Sequence, residues 1–310
     1  MIVTAPAKVV MWGEYAVLAG APAAVMAVDR LARVQLEEAE ATRISAAGFL
    51  APGIYTPDQN FSGLPAAALV EHIFRFWGYT HYPLQAAMHL DTSAFFQQGT
   101  KYGLGSSAAL CVALYVGLAE LLGRTTSLRE AMAIHRSWQG NRGSGLDVAS
   151  TWHGGVIRFQ RGQVEPFNVP DDLHWRLIWT GKQASTPAHL GDFNRWRDRA
   201  DTAPLERLAT QAELLFENAV DLHTLADYID ALQALDAAAK LNIYTHEHTR
   251  LATIAHRAQV LYKPCGAGGG DIGLAIANDR ETLQAFIATI TSEFQVLSTE
   301  IAKHGVQLTE

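Results

Sequence analysis

The chain has 310 residues, 49% of them apolar and 18% charged, which suits one large or two medium domains and excludes a disordered chain. Its formal net charge is −7 with no long basic run, which argues against nucleic acid as a partner. Any anionic ligand must therefore be held by a few local cations, a metal or helix ends.

Taken in chain order, the first pattern is Ile2–Trp12, whose apolar rhythm predicts a strand; it shows no cleavage-site pattern of a signal peptide. Residues 21–38 continue as strand, residues 64–77 have helical spacing, and residues 82–90 read as a strand. A long helix of small and apolar residues is expected over 106–122. Another covers 128–138, with Ser127 as N-cap and Glu130 in its first turn. Residues 154–159 read as a strand, and composition shifts over 166–172. Beyond it come a strand at 175–180, helices at 204–219, 222–241 and 247–262, a strand at 273–277 and a helix at 281–294. Strands with a few helices give way to helices with short strands, without the alternation of a doubly wound sheet. The expectation is an α+β chain of two domains, residues 1–168 and 169–310. Cys111 and Cys265 are too few for a disulfide framework, and no apolar run is long enough to span a membrane, so a cytoplasmic protein is expected.

Three glycine-rich places stand out. In APAKVVMWGEYAVL, Lys8 on a strand is followed by a turn, Gly13-Glu14-Tyr15, so that a lysine and a carboxylate can line one cleft. In KYGLGSSAALCVALYVGLAELL, Lys101, two glycines and two serines stand at the mouth of a buried helix. That is an anion site in outline, because a helix N-terminus presents free N–H groups and the positive end of its dipole. Gly103-Leu104-Gly105-Ser106-Ser107-Ala108 also fits G-x-G-x-x-A, but a polar loop precedes it rather than a buried strand, and a Walker A pattern is absent. The third place, Cys265-Gly266-Ala267-Gly268-Gly269-Gly270-Asp271, allows a close backbone approach before an apolar strand. Between them, Asp147 follows the turn Gly143-Ser144-Gly145, where a carboxylate can accept a proton from a hydroxyl nucleophile. No histidine spacing matches a zinc site, and His246-Glu247-His248 reads as the surface of a helix start.

Together these segments resemble the three motifs, in order, of the GHMP kinase superfamily, over residues 5–277. The resemblance implies an N-terminal ribosomal-protein-S5-like domain, a C-terminal ferredoxin-like domain, an active site between them, and ATP-dependent phosphorylation of a small molecule. Several details resemble phosphomevalonate kinases: the lysine before the loop, GSGLDV over 143–148 and TGKQAST over 180–186. The run ASTWHGG over 149–155 is similar to mevalonate kinases.

The resemblance also implies roles. Backbone N–H groups from Gly103, Leu104, Gly105, Ser106, Ser107 and Ala108 would cradle ATP phosphates, with Ser107 on Mg²⁺, Ser106 on a phosphate oxygen and Lys101 neutralising charge. Asp147 would be the base or orienter of the attacking oxygen, with Lys8 beside it. Glu14, Tyr15, Arg142, Gly143, Ser144, Lys182, Ser185, Thr186, Gly268 and Gly269 would face an anionic acceptor. The helix that carries a magnesium-binding glutamate in mevalonate kinases reads His135-Arg136-Ser137-Trp138-Gln139 here, without a carboxylate. The expected reaction is phosphoryl transfer to a phosphomevalonate-like acceptor by a monomer or homodimer. The alternatives are a mevalonate or other small-alcohol kinase and a nucleotide-binding protein without catalysis.

Overall fold

A computed structural model of the chain describes residues 1–48, 53–55, 67–184, 186–198 and 201–309. The first sheet is built on two long strands, β1 (Ile2–Trp12) and β2 (Ala23–Glu38), paired antiparallel. β2 is long enough to take two further partners along its other edge. Its second half pairs with β5 (Ala86–Asp91), which in turn lies parallel to β3 (Arg43–Ala47) beside β4 (Gly53–Tyr55). Its first residues pair with β8 (Val156–Gln160), which carries β9 (Gln163–Pro166). Pro6 has no N–H for the ladder, and the register shifts between Pro6 and Ala7. A bulge at that position re-aims the following residue, Lys8.

Helix α2 (Ser106–Leu121) crosses this sheet and is buried on nearly every side, which is why its sequence is small and apolar all round rather than striped. Helices α1 (Ala68–Phe76), α3 (Leu128–Trp138) and α4 (Leu146–His153) complete the layer, and Ser127 caps α3 by accepting from the Glu130 N–H. The short pair β6 (Phe96–Gln97) and β7 (Thr100–Lys101) delivers Lys101 to the loop before α2. Of the helix expected over 64–77, residues 64–66 lie outside the described residues.

The second sheet contains β10 (His174–Trp179), β11 (Leu261–Pro264), β12 (Ile272–Ala277) and β13 (Gln295–Leu297), antiparallel in the order β11-β12-β10-β13. Between β10 and β11 run α5 (Thr186–Arg197), α6 (Ala203–Glu217), α7 (Leu222–Ala239) and α8 (His246–Arg257); α9 (Arg280–Ile290) joins β12 to β13. This is the split βαβ arrangement of ferredoxin-like folds. β12 is buried on both faces. Ile272, Leu274 and Ile276 join the core shared with the first sheet, while Ala275 and Ala277 pack with Leu251, Leu283 and Phe286 under α8 and α9. The chain then returns to the first sheet, where β14 (Gln307–Thr309) pairs with the start of β1. Sequence periodicity over 247–262 reads as one helix, but Gln259, at φ 58°, turns the chain and the last residues are β11, held by pairing with β12.

Three consecutive residues of one turn tie the two sheets' units together. The Gly13 N–H donates to Tyr228 Oη at 2.8 Å, and that hydroxyl donates to Glu14 Oε2 at 2.7 Å. The other Glu14 oxygen accepts from Lys263 Nζ, with Glu14 3% and Lys263 0% exposed. Tyr15, at φ 58°, donates its hydroxyl to the Ala267 carbonyl at 2.6 Å and packs its ring at a tilt against Phe193. Removing one partner of such a pair strands a charge in the core. Lys263→Met is expected to cost about 3–5 kcal/mol of stability, and Glu14→Gln added to it should recover a large part. Urea unfolding of the single and double variants measures this; a single variant as stable as wild type would contradict it.

Candidate active site

A cavity of about 450 Å³ opens where the two units meet. Lys8 of β1, Lys101, the loop Gly103 to Gly105, Ser107 and Ala108 of α2, Gly143, Ser144 and Asp147 line one side. Glu14, Tyr15, Gln183, Ala184, Cys265, Gly266, Ala267 and Asp271 line the other. Its charge is carried by two lysines and by Asp147 and Asp271, because Glu14 is already paired with Lys263.

The geometry of the loop Gly103 to Gly105 follows from its glycines. Gly103 has φ +85°, and a Cβ there would fall on the Asp271 carboxylate. Gly105 caps α2 in the left-handed conformation, with the Lys8 stem 3.0 Å from where its Cβ would be. The Lys8 N–H donates to the Leu104 carbonyl at 2.9 Å, so strand and loop are joined under the lysine side chain. No side chain caps α2, which leaves the N–H groups of its first turn without a side-chain partner. Ser107 faces the cavity. Ser106 is fully buried, does not line it, and its hydroxyl has no hydrogen-bond partner among the described residues.

Asp147 stands in the first turn of α4 and lines the cavity, with Oδ1 accepting from the Val148 N–H at 3.0 Å. Asp271 is a cavity residue that sequence reasoning missed as a site residue; its only signal was its place at the end of the third glycine run. Its backbone is left-handed at φ 56°, its N–H donates to the Lys182 carbonyl at 2.7 Å, and its Oδ1 accepts from the Ala184 N–H at 3.0 Å. Burial raises its carboxyl above the ordinary aspartate value, opposed by the Ala184 N–H and by Lys101 and Lys8. Burial likewise lowers the Lys101 ammonium, with Asp271 opposing and Lys8 adding to the shift. Gln139 and Gln183 are further polar residues of the cavity that the sequence did not single out.

Other expected acceptor contacts lie elsewhere. Arg142 is exposed and outside the lining. Lys182 points outward to Glu247, 2.5 Å away, and holds that carboxyl at about 2. Gly268 lies against Ile243 and Gly269 against His189, and neither lines the cavity. Glu14 reaches the lining but spends both oxygens on Lys263 and Tyr228. Thr186 opens α5, and Ser185 lies outside the described residues.

The run His246-Glu247-His248 is not the surface feature its sequence suggests. Thr245 caps α8, and His248 is fully buried. A carbonyl can only accept, so His248 Nε2–H donates to Gly270 O at 2.8 Å, and Nδ1 accepts from the Tyr262 hydroxyl at 2.8 Å. This fixes the glycine loop next to Asp271. Burial lowers the imidazole to about 4, so the fold holds it neutral. Its contribution to stability is complete above its ordinary value of about 6.5 and is lost as pH falls toward 4. Chemical denaturation at pH 7, 5.5 and 4 should show an acid loss about 3 kcal/mol smaller in His248→Phe than in wild type. Equal losses would refute that assignment.

Ser107 fits Mg²⁺ carried by nucleotide phosphates, since its hydroxyl faces the cavity. A cage made by the protein alone does not fit: no group of three or more metal-ligating His, Cys, Asp or Glu occurs among the described residues.

Residues 66–155 match the GHMP kinases N terminal domain. A phosphomevalonate kinase of Streptomyces sp. (strain CL190) is 28% identical over 330 residues, covering 88% of each chain. A mevalonate kinase of Thermococcus gammatolerans is 26% identical over 340 residues, covering 100% of this chain and 98% of the other. The structure of Streptococcus pneumoniae phosphomevalonate kinase in complex with phosphomevalonate and AMPPNP superposes with a TM-score of 0.78 at 18% identity, over 97% of this chain and 99% of that one. The resemblance to the GHMP kinase superfamily is thus borne out by the match in the N-terminal half, and the chain as a whole has the GHMP kinase fold.

Proposed function

We propose that this chain is an ATP-dependent kinase that transfers the γ-phosphoryl group to a small anionic acceptor of the mevalonate type, with a phosphomevalonate-like acceptor as the first reading. The observation that carries the proposal is the meeting of Lys8, Lys101, the loop Gly103 to Gly105, Ser107 and Asp147 around one cavity. Phosphoryl transfer asks for positioning and charge neutralisation rather than covalent catalysis. The uncapped first turn of α2 supplies N–H donors to phosphate oxygens, and Lys101 and Lys8 supply positive charge. Mg²⁺ held by Ser107 would neutralise charge on the phosphates. Asp147 faces the acceptor and orients its attacking oxygen. The similarity to phosphomevalonate kinases at TGKQAST and GSGLDV supports the phosphorylated acceptor.

A second reading, a kinase of mevalonate or another small alcohol, is favoured by one feature. Lys182 and Arg142, the cations expected for an acceptor phosphate, stand outside the cavity, and among the described residues only Lys8 and Lys101 line it as cations. The two readings differ in what they ask of Asp147. A hydroxyl must lose a proton, whereas a phosphate monoester, with a second pKa of about 6, already offers an anionic oxygen at neutral pH.

Coupled ADP release with ATP-Mg²⁺ on mevalonate and on 5-phosphomevalonate, in wild type and Asp147→Asn, tests both. The expected outcome is turnover of 5-phosphomevalonate with a moderate loss in the variant. Turnover of mevalonate, falling about 10²–10⁴-fold in the variant, would establish the second reading. No turnover of either acceptor would overturn the phosphomevalonate-like and mevalonate acceptors and leave only another small alcohol.

A further inference from the structure

Helix α3 carries no carboxylate where it passes the start of α2; the residue that meets Ser107 there is His135. This side chain is 2% exposed and lies behind Ser107 rather than in the cavity. Its Nε2 is 3.2 Å from Ser107 Oγ and 3.3 Å from Nε2 of Gln139, one turn further along α3. In the tautomer with a bare Nε2, that nitrogen is the acceptor buried behind the Ser107 hydroxyl, with the Gln139 carboxamide beside it. Ser107 Oγ then contacts an acceptor, and its one proton is directed at His135.

The consequence concerns the other side of the oxygen. A serine hydroxyl with a free proton can turn it toward a phosphate and act as a donor. With the proton committed to His135, Ser107 shows only lone pairs to the cavity and acts as an acceptor. An acceptor at the start of α2 suits a hard cation and opposes a phosphate oxygen.

We propose that His135 is a positioning residue for Mg²⁺: it holds the Ser107 proton so that the serine oxygen is presented to the cation of a Mg²⁺–nucleotide complex. The inference rests on reading the cavity as the site of such a complex. A histidine that merely packs α3 on α2 would have no influence on metal preference. One that acts through Ser107 changes the gain in nucleotide affinity on adding Mg²⁺. Outer partners of a metal ligand are typically worth 10–100-fold in metal affinity.

Calorimetric titration of AMPPNP with and without Mg²⁺ gives that gain as a ratio, without turnover. The variants are Ser107→Ala, His135→Phe, His135→Gln and the double variant Ser107→Ala/His135→Phe. The expected result is a ratio about tenfold or more lower in His135→Phe, with the metal-free affinity unchanged. His135→Gln, which keeps an acceptor, should hold the wild-type ratio. The double variant should match Ser107→Ala alone, because both changes break one unit. An unchanged ratio in His135→Phe would overturn the proposal, as would an equal loss with and without metal or an additive double variant. Should His135→Phe fail to fold, His135→Leu, which likewise removes the acceptor behind Ser107, reads the same ratio: a fall is expected, and no change would overturn the proposal. A wild type that gains nothing from Mg²⁺ would overturn the reading of the site and this inference together. A normal wild-type gain with an unaltered His135→Phe would overturn this inference alone.

Discussion

The arrangement depends on a carboxylate placed where water cannot reach it. Glu14 leaves the end of β1 and is buried between Lys263 of β11 and Tyr228 of α7. An unpaired carboxylate in that position would be untenable, so the ion pair and the phenol fix how the two sheets sit against each other. An apolar contact could slide by an ångström at little cost; a buried ion pair with a shared hydroxyl cannot. The neighbouring residues repeat the constraint through the Gly13 N–H and the Tyr15 hydroxyl. Glu14 and Tyr15 of this turn also line the cavity.

On the facing wall the same logic acts through polar groups. His248 grips the Gly270 carbonyl, and Asp271 takes an N–H on its side chain and gives one from its backbone. A loop so rich in glycine would otherwise sample many conformations. These bonds select one, and it places a carboxylate against Gly103 and near Lys101. The shifts of Lys101 and Asp271 are opposite in direction and share one cause, burial, with each side chain partly relieving the other. The fold thus holds partly desolvated charges of both signs in the cavity, a disposition common where sites are built for ligands rather than for stability.

Much of the fold was legible from local pattern. The rhythm of Ile2–Trp12, the uniform apolarity of α2, and Ser127 followed by Glu130 each report a local preference that the tertiary structure keeps. Elements held extended only by strand pairing were not legible. β11 looked like the tail of a helix, and β14 is three residues whose only reason to be extended is the edge of β1. In the site, the lysines, glycines and Asp147 announced themselves by type and spacing. Asp271 did not, because an aspartate after glycines is an ordinary turn residue until its backbone angle and neighbours are known. Lys182 misled for the converse reason. Its motif places the backbone at the cavity, while Glu247, supplied by another helix, draws the ammonium away.

The sequence by itself determined the chemistry on offer: a helix mouth with free N–H groups, two lysines near it, a serine and an aspartate, on a chain able to bury two sheets. Side-chain type and short-range spacing carry that information, since they act within a few residues. The tertiary structure decided which of these groups share a cavity, which are consumed in holding it together, and where each proton sits. Glu14 became a strut, His248 a fastening, and His135 the acceptor behind Ser107. Each outcome depends on a partner at least 20 residues away in the chain, and such pairings are set by packing rather than by local preference.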